Sequence, residues 1–483
     1  MDIFNRRALG DIANRRALGR LIFVIATFLF LWPIAEVPGK THPLPHVSPA
    51  MERPEFWTDK VGNSTKVLLR PDRIRKMNDE ILNRSDLYLS RVKDLKEDWT
   101  REELLDLFKE DWQGFGKTSE IRFGRNGQVL NESFWKELEK NVHAEGIKGQ
   151  NQALFGLIVK RTDIRVFPTE EPSLSSPASG DFDRFQHSMI SPGSLVALYH
   201  VSKDEGWVYV QAPFIRGWVK RDAVAVGSEK RFAVQYAEER ERLVITGDFV
   251  TFFRDSTFQE EVFAAQMGDS FPLSRLPQGN GVDGKAYVVR IPSREKNGRL
   301  IYQEAYVSKN ADVHPGFLSY SQANVARQAF KMLHQPYGWG EMFGGRDCSR
   351  FIMDIFATFG IVMPRNSMLQ ARVGIDLGPA EGKSIREKRA ILEQAPPLAT
   401  TLRLPGHIML YLGKQKGRYY VIHSIWGFQN SGRSGVNLEK VGAVVVSDLS
   451  LGEGGPNGSL LKRLTDIRFI GEEGGSRKHP NSP

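Results

Sequence analysis

The stretch "GGRDCSRFIMDIFATFG", residues 344–360, decides how the C-terminal part of this chain folds and what chemistry it carries. It holds Cys348, the only cysteine among 483 residues. One cysteine makes no intramolecular disulfide, so this thiol serves packing or reactivity. Phe351, Ile352, Ile355, Phe356 and Phe359 recur at helical spacing on one face, and Gly360 supplies the stop. Cys348 then falls at the helix N-terminus, where unpaired N–H groups and the helix dipole favour a thiolate and lower the thiol pKa. A free cysteine is as commonly an inert small hydrophobe, so position alone leaves both readings open. Asp347 opposes the thiolate, because like charge raises a thiol pKa. A carboxylate turned away from the sulfur and into a cleft would instead hold a substrate's ammonium group.

Two histidines shift the balance toward reactivity. "GHIMLYLGK" and "RYYVIHSIWG" are strands joined by the turn "KQKG", which places His407 and His423 on neighbouring strands. A cysteine nucleophile needs a base within hydrogen-bond reach, and the base needs a third group to fix its tautomer. A helix N-terminus facing two adjacent strands brings such a set to one point. Metal ligation by the same three side chains ranks lower. No H-E-x-x-H occurs, and no second thiol or carboxylate signal accompanies them. No metal or cofactor is expected.

Upstream, residues 41–148 read as helical, with Pro71 opening one helix and Thr100/Glu103 forming a capping-box pattern before another. Residues 149–227 turn to short strands bounded by Gly, Pro and Asp, "SLVALYHVS", "GWVYVQAP" and "RGWVKRDAVAVG", after a long polar loop. That pattern describes a small SH3-like barrel. A second, weaker repetition of it covers 228–314, and an α+β segment covers 315–472. Residues 473–483 are expected to be disordered.

The run "QPYGWG…GGRDCSRF…MPRNSMLQ…LPGHIMLYLG…YVIHS" resembles the NlpC/P60 family of cell-wall cysteine peptidases. The likeness extends over about 150 residues and four ordered motifs: Tyr-x-Trp-Gly, Asp-Cys-Ser, Pro-Arg-x-Ser-x-x-Gln and a His-led strand. The whole chain is similar to the family's multidomain branch, which implies a multidomain fold. A helical N-terminal stabilising domain and two bacterial SH3-like β-barrels would precede an α+β papain-like catalytic domain. The resemblance implies Cys348 as nucleophile, His407 as base, His423 as the residue orienting it, and Tyr337 in the oxyanion hole. It further implies Asp347, Ser349 and Ser367 in the pocket that receives a free N-terminal L-Ala. The first barrel would wall off the groove through Asp183 and Asp181 in its long loop and through Trp218. A barrel-core tryptophan and a solvated loop are the alternative for those residues. Two departures stand out: Arg350 replaces a family glycine and would narrow or recharge the groove, and "LRLPGH" replaces Gly-Asp before the base strand.

Apolar residues at 41% and charged residues at 25% are ordinary for folded domains. The net charge of +9 suits an anionic polymer as partner, yet the basic residues are scattered, which argues against nucleic acid. Arg6, Arg7, Arg15, Arg16 and Arg20 precede the apolar run "LIFVIATFLFLWPIA", residues 21–35. Residues 1–40 thus read as a signal peptide or as a short anchor attaching the chain to the inner membrane, so the protein is expected in the periplasm or cell envelope. The expected function is an exported peptidoglycan hydrolase. It would cleave the γ-D-glutamyl–diamino acid bond of stem peptides or muropeptides bearing a free L-Ala. The alternatives are an N-acetylmuramoyl-L-alanine amidase, an amide transferase, or a non-catalytic wall-binding scaffold.

Overall fold

The computed structural model describes residues 44–178, 180–274, 284–432 and 435–472. The N-terminal segment 1–40, with its apolar run 21–35, and the tail 473–483 lie outside the described residues. Among the described residues no helix is long and apolar enough to cross a membrane.

The C-terminal part is built on a six-stranded antiparallel sheet. Its strands run in the order Ile375–Asp376, Asp466–Phe469, Thr400–Leu404, His407–Gln415, Arg418–Gly432 and Gly435–Asp448. Side chains alternate across it with a period of two. Ile408, Leu410, Leu412, Ile422, Val444 and Val446 face the helix Cys348–Ala357, whose Phe351, Ile352, Ile355 and Phe356 are fully buried against them. Met409, Tyr411 and Val421 face a second cluster on the other side, with Leu402, Ile467 and Leu392. Each such side chain contributes about 1.5–3 kcal/mol on burial. Together they fix the register of the sheet beneath the helix, because a one-residue slip would exchange the two faces.

The N-terminal helices, expected as a stabilising domain over 41–148, divide their apolar faces between two clusters. Met51, Trp57, Leu69, Ile74, Ile81 and Leu87 join the cluster of the cysteine helix. Val92, Leu104, Phe108, Trp135, Leu138 and Val142 join the first barrel instead. The reason is size: helices of 12, 15 and 11 residues (Pro71–Leu82, Arg101–Phe115, Glu132–Val142) present single apolar stripes that need a sheet or helix to cover them. Thr100 caps the second of these helices in a full capping box with Glu103.

The first barrel is a seven-stranded antiparallel sheet. Val196, Leu198, Val208, Val210 and Val219 point inward, while Ala197, Tyr199, Trp207, Tyr209 and Trp218 point outward and lie under the helix Arg101–Phe115. Both faces are therefore buried. A second all-β unit follows, with a three-stranded and a four-stranded sheet around Leu243, Phe252, Phe271, Val289 and Val307.

Candidate active site

Cys348 is the first residue of its helix and Asp347 is the N-cap, its carboxylate accepting from the Arg350 amide. The Ser424 hydroxyl donates to the Arg346 carbonyl at 2.6 Å and ties the approach to the helix onto the sheet. The backbone N–H of Ile408 bonds the Cys348 sulfur, which sets the thiol beside the start of the His407 strand. His407 Nε2 lies 2.7 Å from His423 Nδ1, and His423 Nε2 lies 3.0 Å from the Ser447 hydroxyl. Nδ1 of His407 is thus the ring nitrogen left to serve the cysteine. The structure brings Cys348 to the hairpin that carries His407 and His423, about 60 residues further along the chain.

The electrostatics differ from the expectation of a dipole-activated thiolate. Burial first, and then the Asp347 carboxylate, push the Cys348 thiol up to about 12. The Ile408 amide and the Arg365 guanidinium act in the opposite sense and do not compensate. Burial, followed by Arg463, pulls His407 down to about 4, and burial with the neighbouring His407 pulls His423 well below its usual value. The resting pair is a neutral thiol and a neutral imidazole.

Tyr337 is half-buried beside this pair, its hydroxyl held protonated by burial and then by Cys348 and Asp347. Its ring belongs to an aromatic wall that crosses the domain boundary. Phe182, from the long loop of the first barrel, lies 5.2 Å from Trp426, 5.5 Å from Trp339 and 6.3 Å from Tyr337, measured between ring centroids. Asp181 accepts from Trp426 Nε1 at 2.9 Å and pairs with Lys440 at 2.8 Å. The loop is thereby latched onto the His423 strand and onto the strand that follows it.

Asp183 takes a different part from the one expected. Its side chain, 1% exposed, accepts from the Ser173 and Phe185 amides and pairs with Arg165 at 2.8 Å. Only its carbonyl faces the site, accepting from Trp339 Nε1 at 3.1 Å. Trp218 does not line the groove at all: it is 1% exposed, packed on Phe108 and Tyr209 on the outer face of the barrel. Strand alternation puts Val219 inside the barrel and Trp218 under the helix.

Asp347 and Ser349 also face protein. Asp347 Oδ1 accepts from Ser349 Oγ (2.8 Å), the Arg350 amide (2.8 Å) and Arg365 Nη1 (3.1 Å). Oδ2 accepts from Arg365 Nη2 (2.8 Å) and the Gly340 amide (3.2 Å). A carboxylate offers about four acceptor sites, so this one is filled, and an amine would have to displace Arg365 to reach it. Ser349 Oγ accepts from Arg365 at 2.9 Å. Ser367 is half-buried at the start of the short helix Ser367–Gln370. Arg350 leaves the groove open: it is turned inward onto Asp354 (2.6 Å) and Glu341 (3.1 Å).

Glu341 is the hub of that buried network. It is fully buried and receives Arg161 Nη2 (2.9 Å), Ser188 Oγ (2.7 Å) and the Met189 amide (3.0 Å) from the first barrel, and Arg350 from the cysteine helix. Arg346 binds Asp354 at 2.7 Å and the carboxylate of Asp248 in the second β unit. Gly340, at φ +55°, lets the backbone meet the barrel strand; a Cβ there would lie 2.7 Å from Gln186. Sequence reasoning missed Arg365, Glu341, Phe182, Trp426 and Ser447. Arg365 stood inside the Pro-Arg-x-Ser motif, and Ser447 interrupts the apolar run "GAVVVSDLS". Among the described residues no group of three or more His, Cys, Asp or Glu side chains is placed to hold a metal ion.

Residues 334–424 match the NlpC/P60 family, and residues 172–220 match an SH3 domain of the SH3b1 type. No curated protein sequence matches the chain. Among solved structures, an NlpC/P60 endopeptidase from Photobacterium damselae subsp. piscicida shares the fold at TM-score 0.69 and 20% identity, over 85% of this chain and 95% of that one. An NlpC/P60 family protein from Bacillus cereus is 16% identical over 66% of this chain and 100% of that one, at TM-score 0.46. The peptidoglycan hydrolase RipB of Mycobacterium tuberculosis is 23% identical over 31% of this chain and 65% of that one, at TM-score 0.20. The cysteine helix and the His-led strand thus lie within an NlpC/P60 domain match, and the barrel latched beside them within an SH3 domain match.

Proposed function

We propose that this protein is an exported cysteine endopeptidase that cleaves the γ-D-glutamyl–diamino acid bond of peptidoglycan stem peptides. The observation that carries the reading is that the helix begun by Cys348 packs on the strand begun by His407, with His407 bonded to His423 and the barrel loop's Phe182 packed on Trp426 beside them. As the sulfur attacks the γ-carbonyl carbon, the thiol proton passes to His407 Nδ1. The developing oxyanion is held by the Cys348 N–H, which has no intrahelical acceptor at the first helical position, and by the Tyr337 hydroxyl. His407 returns the proton to the departing amine as the C–N bond breaks. Water, deprotonated by His407, then cleaves the thioester and restores the thiol.

The wall of Phe182, Trp339 and Trp426 favours a short peptide end over a stem still joined to glycan. With Asp347 buried and paired to Arg365, we assign a free L-Ala ammonium to the half-buried Asp181 at that wall, where the amine would share or replace the exposed Lys440 on a carboxylate that also takes Trp426. The cell-envelope location follows from the substrate and from the basic, apolar N-terminal segment, whether cleaved as a signal or kept as an anchor. Digestion of defined muropeptides by the purified protein, read by mass, tests the proposal. Release of L-Ala–D-Glu is expected from the free tripeptide-containing stem. Separation of L-Ala from muramic acid would overturn it.

A further inference from the structure

The geometry points to Ser447 as the residue that sets the proton order of the catalytic histidines, a positioning role beyond the Cys348–His407–His423 set. Val421 stands opposite Ser447 and His423 opposite Val445 in the paired strands, so His423 and Ser447 are diagonal neighbours on one face. Both are fully buried. The chain of contacts is linear: His407 Nε2 to His423 Nδ1 at 2.7 Å, then His423 Nε2 to Ser447 Oγ at 3.0 Å.

Such a chain has two neutral proton arrangements. In the first, His423 Nε2–H donates to Ser447, and His423 Nδ1 accepts from His407 Nε2–H. His407 Nδ1 is then bare and able to take the thiol proton. In the second, the Ser447 hydroxyl donates to His423 Nε2, and His423 Nδ1–H donates to His407 Nε2. His407 Nδ1 then carries a hydrogen and cannot act as a base. Only the first order supports attack by Cys348, and it requires an acceptor at the far end of the chain.

Ser447 supplies that acceptor in a fully buried position. Replacing it by alanine leaves the first order with an orphaned buried N–H, a costlier defect than the bare ring nitrogen left in the second. The population therefore moves to the inert order. The role rests on the cysteine-peptidase reading of the site, though not on the identity of the substrate.

Three measurements test it. In the ¹⁵N–¹H spectrum of the wild-type protein, His423 should carry its hydrogen on Nε2 and His407 on Nε2. A His423 protonated on Nδ1 would overturn the proposal without any variant being made. In Ser447→Ala, the rate of Cys348 alkylation by iodoacetamide at pH 7 should fall about 10- to 100-fold, and kcat on the tripeptide should fall likewise with KM unchanged. Ser447→Thr, which keeps the hydroxyl, should recover most of both. Alkylation within about twofold of wild type in the alanine variant, or no recovery in a folded threonine variant, would refute the assignment. If no muropeptide is cleaved by any form while alkylation follows the hydroxyl, the substrate reading fails and the role of Ser447 stands.

Discussion

Removing the carboxylate of Glu341 should loosen the first barrel from the catalytic domain more than any other single change at that interface. Glu341 is fully buried and accepts from Arg161, Arg350, Ser188 and the Met189 amide. Breaking a buried ion pair by deleting one partner costs about 3–5 kcal/mol, because the other charge stays buried without compensation. Here the uncompensated partner is Arg161. Arg350 keeps Asp354, and Arg365 keeps Asp347, whereas Arg161 is left with the uncharged Gln266, Met189 and Phe249 side chains. Glu341→Ala is therefore expected to destabilise by about 3–5 kcal/mol, and the double variant with Arg161→Met to recover about 1–2 kcal/mol of it. Urea denaturation gives the free energies. Hydrogen exchange at Met189, whose amide donates to Glu341, gives the location. The sign of the pH dependence follows from the same contacts. Burial alone would raise the Glu341 pKa, but Arg350, Arg161 and Arg365 outweigh it and hold the group below the ordinary 4.5. Its contribution is thus present above about pH 4.5 and is lost as pH falls through the lower folded value. A destabilisation under about 1 kcal/mol, or additive effects of Glu341 and Arg161, would refute this account of the interface.

Cys348→Ala should abolish hydrolysis while leaving binding to isolated cell wall intact; residual turnover above about 1% of wild type would remove Cys348 as nucleophile. Because the thiol sits near 12 and His407 near 4, iodoacetamide alkylation of the free enzyme should rise with pH from 7 to 9 without a plateau; a plateau below pH 7 would reveal a resting ion pair. Asp181→Asn should raise KM about 10-fold for a peptide with a free L-Ala amine and leave KM for its N-acetylated form unchanged; equal shifts for both would place the ammonium elsewhere. Trp218→Ala should cost about 3–5 kcal/mol in stability, as expected for a buried aromatic, with kcat/KM of the folded fraction unaltered; a selective loss of KM would return Trp218 to the groove.

Local chemistry carried far in this chain. The spacing of Phe351, Ile352, Ile355 and Phe356 specifies a helix whose first residue is Cys348, and the paired strands that hold His407 and His423 are written in alternating apolar runs. These features depend on contacts between residues close in sequence, so they survive reading without coordinates.

What the chain alone left undecided were the partners of its charges. Asp347 looks from sequence like a ligand for a substrate amine, and Arg350 like an obstruction. The fold gives Asp347 to Arg365, and Arg350 to Asp354 and Glu341. The thiol itself followed the same rule: a helix N-terminus favours a thiolate, but burial beside Asp347 outweighs the dipole. Charge interactions in a low-dielectric interior are set by distances between elements remote in sequence. The sequence determined which residues are present for chemistry and on which elements they ride. Only the tertiary structure decided which of them remain free to perform it.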